Sequence, residues 1–325
     1  MSVIAIGELV VDWLSLEPCE TFFSARQFHR ALGGNSTNVA IGLRRLGTDV
    51  RLVGKIGADF HGEYIKRQLQ AENLDLSFVI ADTAYSTAQC YMTTNAEGQH
   101  QFRNFPRPHA ADMLRPDELP VEAFFDAHFM HSTGISLMAD PRRSAVREAV
   151  RLAKENRVAV SFDAGFPTGA EAYVREVAVD VLRHADLIKM NEYELQFWFG
   201  DKEPGSIEEM AVEVFERYQP AALFVTRAAS GSIIITDEGI VLCEPFPVQA
   251  VSEVGAGDAY MAGVLHMLDN LILESSENLK TLTQSDWMKV GLSGNVCGAL
   301  ATRSIDAYGG MPEINEFQQV FAGAF

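Results

Sequence analysis

Basic residues are in deficit. There are 26 lysines and arginines against 44 aspartates and glutamates, a net charge of −18 without long blocks of one sign, so a nucleic-acid backbone would be met by a field of the wrong sign. Nucleic acid is therefore excluded as the expected partner, although an anionic nucleotide still binds wherever a helix terminus, a cationic side chain or Mg²⁺ screens it. Cysteine is scarce too. Cys19, Cys90, Cys243 and Cys297 lie far apart and form neither CxxC pairs nor a Cys/His cluster, which argues against a disulfide framework or structural zinc and for reduced thiols. No stretch reaches the roughly 18 apolar residues of a membrane helix. The most apolar window, Gly255 to Leu273, still contains Asp258, His266 and Asp269, and the start, Met1 to Gly7, has no basic n-region. The expectation is a cytoplasmic protein with no membrane partner. The first apolar run passes into Gly7-Glu8-Leu9-Val10 without a GxGxxG turn, which argues against a dinucleotide-dependent oxidoreductase. Internal repeats, low-complexity tracts and linkers are absent.

What is present is ordinary globular material, 47% hydrophobic and 22% charged over 325 residues, enough for a large core. Short β-rich runs (Val3 to Ile6, Val50 to Val53, Val158 to Phe162, Leu187 to Met190, Leu223 to Thr226, Ile233 to Ile235) alternate with amphipathic stretches such as Arg142 to Asn156 and Ile207 to Tyr218. Such alternation predicts an α/β fold with a mostly parallel sheet covered by helices on both faces. One region departs from it: Thr87 to Met92 and His100 to Phe105 read as extended, with turn chemistry at Asn95-Ala96-Glu97-Gly98 between them. This predicts a hairpin, either a small lid or a plain edge hairpin. Phe105 to Pro120 would return the chain to the main sheet.

The strongest local signal is Gly255-Ala256-Gly257-Asp258, followed by Val264, Leu265, Leu268, Leu271 and Ile272 at helical spacing. Glycines there let a ligand approach the backbone, and first-turn N–H groups suit a phosphate or developing oxyanion. Asp258 in that turn is either a helix cap or a functional carboxylate. Gly33-Gly34-Asn35-Ser36-Thr37-Asn38 leads into a second helix. Ser36 or Thr37 can cap it, while Asn35 and Asn38 suit the hydroxyls of a polyol, with Gly33 and Gly34 leaving room. Asp12 lies near the C-terminal edge of the first strand, where α/β sheets place ligands and where a carboxylate can chelate two sugar hydroxyls. Asn191 and Glu194 have the spacing of a capping box; alternatively, Glu194 orders water around a Mg²⁺ that bridges nucleotide phosphates.

Taken in order, Gly-Gly-x-x-x-Asn, Gly54-Lys55-Ile56-Gly57-x-Asp59-x-x-Gly62, Asn-x-x-Glu and Gly-Ala-Gly-Asp resemble the ribokinase-like (PfkB) carbohydrate kinase family over nearly the whole chain. The resemblance implies a single ribokinase-like domain over residues 1–325, a three-layer sandwich around a nine-stranded or similar parallel-rich sheet. It also implies a small β lid, with strands within about 12–32 and 86–110, that covers the sugar and pairs two subunits into a homodimer. By the same resemblance Asp258 takes the proton from the acceptor hydroxyl, with Gly255, Ala256 and Gly257 around an anion hole. Asp12, Gly33, Gly34 and Asn38 match the sugar side; Lys189, Asn191, Thr226, Gly231 and Asn295 match the nucleotide side, and Glu194 matches a Mg²⁺ site reached through water. Phosphoryl transfer needs alignment and charge stabilisation more than covalent chemistry, so a carboxylate, a helix N-terminus and Mg²⁺ suffice.

The stretches Phe102 to Arg107, Ala110 to Leu114, Gly7 to Asp12 and Thr133 to Leu137 are similar to fructokinases, with Arg103 and Arg107 reaching the substrate from the lid or standing as solvated surface charges. The expectation is an ATP-dependent kinase for fructose or a related ketose or hexose. The alternatives are a kinase for 2-keto-3-deoxygluconate, another sugar acid or a nucleoside, or a non-catalytic sugar- or nucleotide-binding relative. Three departures stand out. Ser252 replaces an Asp that helps bind a monovalent cation, which leaves that cation open. Asp163-Ala164-Gly165-Phe166-Pro167 lacks the amide and guanidinium of Asp-x-Asn-x-Arg, and Ala228 stands where a Gly is usual after the Thr226 strand.

Overall fold

The computed structural model describes residues 2–19, 21–95, 100–104, 107–166, 170–199, 205–275 and 279–323. Residues 96–98 of the expected hairpin turn, with Phe105, Pro106 and Pro167, lie outside them.

The first strand, β1 (Ser2–Ile6), shows how the main sheet is made. Val3 and Ala5 enter one core while Ile4 and Ile6 enter another, and apolar residues on both faces at a period of two are what a strand covered on both sides requires. Among the described residues nine strands form this sheet: β4 (Asp49–Gly57), β5 (Val79–Asp82), β8 (Ala127–Thr133), β9 (Ala159–Asp163), β10 (Leu187–Asn191), β11 (Ala222–Thr226), β12 (Ser232–Thr236) and β13 (Gly239–Cys243) join β1. Their order is β13-β12-β11-β10-β9-β8-β1-β4-β5, all running the same way except β12, which is antiparallel to both of its neighbours. The core shared by Val3 and Ala5 takes side chains from α1 (Asn35–Arg45), α2 (Phe60–Ala71), α7 (Ala256–Ser275), α8 (Gln284–Ala301), α9 (Ala307–Gly310) and α10 (Ile314–Phe321). On the other side lie α3 (Arg142–Glu155), α4 (Glu171–His184), α5 (Glu192–Phe199) and α6 (Ile207–Tyr218). The three layers agree with the expected class.

Each strand expected from a β-rich run is there, with Val158 one residue ahead of β9. The strands without such a run are instructive. β8 reads Ala-His-Phe-Met-His-Ser-Thr and is buried through its neighbours rather than through its own apolarity. The apolar helix α7 is buried around most of its girth. Two of its polar residues are satisfied internally: Asp269 meets His128 at 2.6 Å and His266 meets Thr48 at 2.8 Å. No helix among the described residues is long and apolar enough to cross a membrane.

A second sheet of four strands, in the order β3-β2-β6-β7, comprises β2 (Val10–Ser15), β3 (Phe28–Gly33), β6 (Ala88–Thr94) and β7 (His100–Asn104). Alternation splits it into two faces. Leu14, Ala31 and Met92 pack together against Val254, just ahead of α7. On the opposite face Trp13 stacks on Tyr91 at 5.9 Å, beside Phe22 and Phe28.

Candidate active site

The C-terminal edge of the main sheet collects Asp163, Asn191 and Thr226, the last residues of three adjacent strands, with Asn191 and Thr226 in register. α7 begins close by. Gly255 takes φ 82°, and a Cβ there would lie 2.4 Å from that of Ala307, so both backbone and space call for glycine. The Ala256 N–H donates to Glu253 O at 3.2 Å, which withdraws it from the expected anion hole. Gly257 and Asp258 carry the next first-turn N–H groups, donors that a helix leaves without an i−4 partner.

Asp258 is buried and each of its oxygens accepts a side-chain amide: Asn35 Nδ2 donates to Oδ1 at 3.2 Å and Asn38 Nδ2 to Oδ2 at 2.8 Å. The two asparagines lie three apart on the first turn of α1 and so share a face. Burial pushes the Asp258 carboxyl up to about 7; Asn38 and Lys189 pull against this, while Asp163 and Glu8 add to it. The sequence assigned both asparagines to a sugar, but their amide nitrogens are spent on the carboxylate. Asn38 Oδ1, by contrast, is buried without a hydrogen-bond partner, an acceptor aimed beside Asp258.

Asp12 lies on β2 opposite Ala31, and a Cβ on Gly33 would fall 1.9 Å from its Oδ2. Gly33 is thus the floor beneath the Asp12 carboxylate. Burial and the charges of Asp306 and Glu8 push that carboxyl up to about 7. Asp306 itself caps α9 and meets His29 Nε2 at 3.0 Å. The register of the second sheet separates one of the two expected arginines, Arg103, from this group. Asp12 pairs with Cys90, whereas Tyr91 pairs with Arg103, so Arg103 shares the Trp13 face, opposite Asp12. Arg107 stands 3.6 Å from the buried Asp112 carboxylate, which also faces Arg142 at 3.5 Å.

Asn191 and Glu194 form the capping box. The Glu194 carboxylate accepts the Asn191 N–H at 2.7 Å and the Asn191 side-chain Oδ1 accepts the Glu194 N–H at 2.8 Å. Lys189, expected on the nucleotide side, is a polar residue inside the apolar strand β10. In the fold its Nζ meets Asp163 at 3.0 Å and Glu194 at 3.9 Å, and a Cβ on Gly257 would lie 3.0 Å from it. Burial alone would depress the Lys189 ammonium, but those two carboxylates outweigh it and raise its pKa. The segment lacking a guanidinium therefore has a fixed cation across from Asp163. Burial raises the Glu194 carboxyl against the pull of Lys189. Among the described residues no group of three or more His, Cys, Asp or Glu side chains is placed to hold a metal. Asp163 and Glu194, two hard carboxylates on either side of Lys189, suit an ion that keeps most of its waters.

Gly231 and Asn295 gather around the chain leaving β13, while Thr226 ends β11 opposite Ser232. Asn295 Nδ2 donates to Cys243 O at 3.1 Å and Glu244 O at 2.8 Å, and a Cβ on Gly231, at φ 80°, would fall 2.2 Å from Cys243 O. Ala228 has φ 46°, a left-handed conformation that glycine adopts without cost. Ser252 turns the approach to α7: its Oγ accepts the Val254 N–H at 3.3 Å and its own N–H donates to Thr302 O at 3.0 Å.

The profile of the pfkB family carbohydrate kinase matches residues 1–314. The chain belongs to this family. It is an ATP-dependent carbohydrate kinase. This pfkB kinase is 31% identical over 317 residues to probable fructokinase-2 of Arabidopsis thaliana, covering 95% of this chain and 92% of that protein. It is also 31% identical over 329 residues to fructokinase-1 of Zea mays, covering 99% and 98%. Among solved structures, a fructokinase from Vibrio cholerae O395 in a fructose, ADP and calcium ion bound form matches with a TM-score of 0.84 at 24% identity, covering 99% of each chain. An aminoimidazole riboside kinase from Salmonella enterica, complexed with aminoimidazole riboside and an ATP analog, matches at 0.83 and 22%, covering 99% and 100%. At those identities the structural matches speak for the fold.

Proposed function

We propose that this pfkB kinase phosphorylates a primary hydroxyl of fructose or a closely related neutral ketose or hexose, with Asp258 as the base. The observation that carries the reading is the pairing of a buried, amide-held Asp258 carboxylate with the buried, unpartnered Oδ1 of Asn38. The hydroxyl would give its proton to Asp258 as its oxygen attacks the γ-phosphorus and the bond to the β-phosphate oxygen breaks. Asn35 and Asn38 hold the carboxylate, and a pKa near 7 keeps it ionised and basic at slightly alkaline pH. The N–H groups of Gly257 and Asp258, with Lys189 Nζ behind them, face the charge that develops on the phosphoryl oxygens. Mg²⁺, when bound, would neutralise nucleotide phosphate charge, with Glu194 and Asp163 holding its waters. Lys189, Asn191, Thr226, Gly231 and Asn295 form the nucleotide side.

Asp12, its floor Gly33, the α1 cap Gly34 and Asn38 form the acceptor side. The carboxylates of Asp12, Asp306 and Glu8 already oppose one another there, which supports a neutral acceptor over a sugar acid. The fructokinase names of the relatives support fructose. The aromatic outer face of the second sheet supports a lid that pairs two subunits, and four free thiols support a reducing compartment such as the cytoplasm.

The test is ADP release from Mg-ATP across a panel of neutral sugars, sugar acids and nucleosides. Fructose-dependent ADP release is expected. A preference for a sugar acid or nucleoside would overturn the acceptor, and ATP binding without turnover on any sugar would favour the non-catalytic alternative.

A further inference from the structure

Glu8 sits between β1 and β2 and is only 4% exposed, a depth at which a carboxylate is tolerated only when its oxygens are engaged. They are engaged on two sides. Oε1 accepts the Asn35 N–H at 3.0 Å and Oε2 accepts the Ser136 hydroxyl at 2.8 Å. Its main-chain carbonyl accepts the Thr37 hydroxyl at 2.9 Å and lies so close to Gly34, at φ 101°, that a Cβ there would be 2.2 Å away. All but the Ser136 contact fall at the start of α1, where a negative group meets orphan amides and the positive end of the helix dipole. The Ser136 side is anchored in turn: buried Arg142 donates Nε to Ser136 O at 2.9 Å and Nη2 to Ile135 O at 3.0 Å. The turn thus gripped is the one that presents Asn35 and Asn38 to Asp258.

We infer that Glu8 is a positioning residue for phosphoryl transfer, clamping the first turn of α1 so that its two amides hold Asp258 at the acceptor. The inference rests on Asp258 being the base. Glu8 also acts through its charge. Asp258 is faced by Glu8 and Asp163, which favour its protonation, and by Lys189 and Asn38, which oppose it. Glu8 itself faces Asp12 and Arg142 as well.

The experiment is a pH profile of kcat and kcat/KM, from about pH 5.5 to about pH 9, for the full chain carrying Glu8→Gln, with Ser136→Ala and Asp258→Asn alongside. Gln keeps the shape and an acceptor for the Asn35 N–H but removes the charge. The expected result is a kcat about tenfold lower with both KM values within about twofold. The acid limb should move to lower pH by roughly half a unit, because loss of a neighbouring negative charge eases ionisation of Asp258. Ser136→Ala keeps the charge and should leave the limb in place. Wild-type kcat and an unmoved limb in Glu8→Gln would overturn the inference, as would a change in KM alone. Should Glu8→Gln lose its cooperative melt, Glu8→Asp keeps the charge and shortens the reach; lowered kcat with an unmoved limb supports the clamp, and wild-type kcat overturns it. An active Asp258→Asn protein would sink the assignment of the base, whereas an inactive one beside a wild-type-like Glu8→Gln would sink the Glu8 inference alone.

Discussion

Asn38 donates to Asp258 across 2.8 Å although 220 positions separate them in the chain. The bond ties the first turn of α1 to the first turn of α7, so the carboxylate is oriented by a helix other than its own. Burial makes this costly. Because the folded state holds the Asp258 proton up to about 7 against 3.8 for a free side chain, the native chain binds more protons than the unfolded one between those values, and its stability falls as pH rises through that window. Asp258→Asn should therefore unfold at higher urea than wild type at about pH 8, by on the order of 1–3 kcal/mol, with the gain shrinking towards about pH 5. A gain independent of pH would count against a buried, elevated carboxyl.

Gly33→Ala puts a methyl into the space of the Asp12 carboxylate. The carboxylate is the free end of a side chain and can swing aside, so the fold should survive while the acceptor loses its chelate. Sugar KM is expected to rise about tenfold or more with ATP KM within about twofold. Steady-state kinetics checks this, and equal effects on both substrates would speak against Asp12 as an acceptor ligand.

Lys189→Gln leaves Asp163 and Glu194 as buried carboxylates without their cation. Breaking such a pair by removing one partner costs about 3–5 kcal/mol, measurable by urea denaturation. Loss of a positive charge also favours the protonated form of Asp258, so the acid limb of kcat/KM should move to higher pH. That is the opposite of Glu8→Gln, and movement in the same direction for both would refute the electrostatic account.

Ala228→Gly relieves a left-handed backbone. The left-handed region costs an alanine about 1–2 kcal/mol, part of which the greater freedom of glycine in the unfolded chain cancels. A Tm rise of roughly 1–2 °C is expected, with kcat unchanged. A lower Tm would show that Ala228 is held by contacts worth more than its strain.

Much of the fold was legible because the physics behind it is local. Val3 to Ile6, Leu187 to Met190 and Leu223 to Thr226 read as strands from composition alone, and Ile207 to Tyr218 coincides with α6. β8 escaped because its His and Ser side chains are buried by neighbouring strands, and local apolarity carries no record of that. The capping-box reading of Asn191 and Glu194 describes the geometry found. Arg103 shows the reverse. Sequence left it as either a substrate contact or a solvated surface charge, and only the pairing of Tyr91 with Arg103 puts it on the face of Trp13.

By itself the sequence determined the alternation of strands and helices, the glycines at Gly33 and Gly255, and the presence of a carboxylate at Asp258, because each follows from periodicity, backbone freedom or residue type within a few positions. Only the tertiary structure decided that Asn35 and Asn38 face Asp258, that Lys189 stands between Asp163 and Glu194, and that Glu8 grips the turn presenting the two amides. Apart from the nearby Lys189 and Glu194, those relations join segments tens to hundreds of residues apart. Hydrogen bonds and charges act over a few ångströms of space, and only chain folding sets which residues come within that reach.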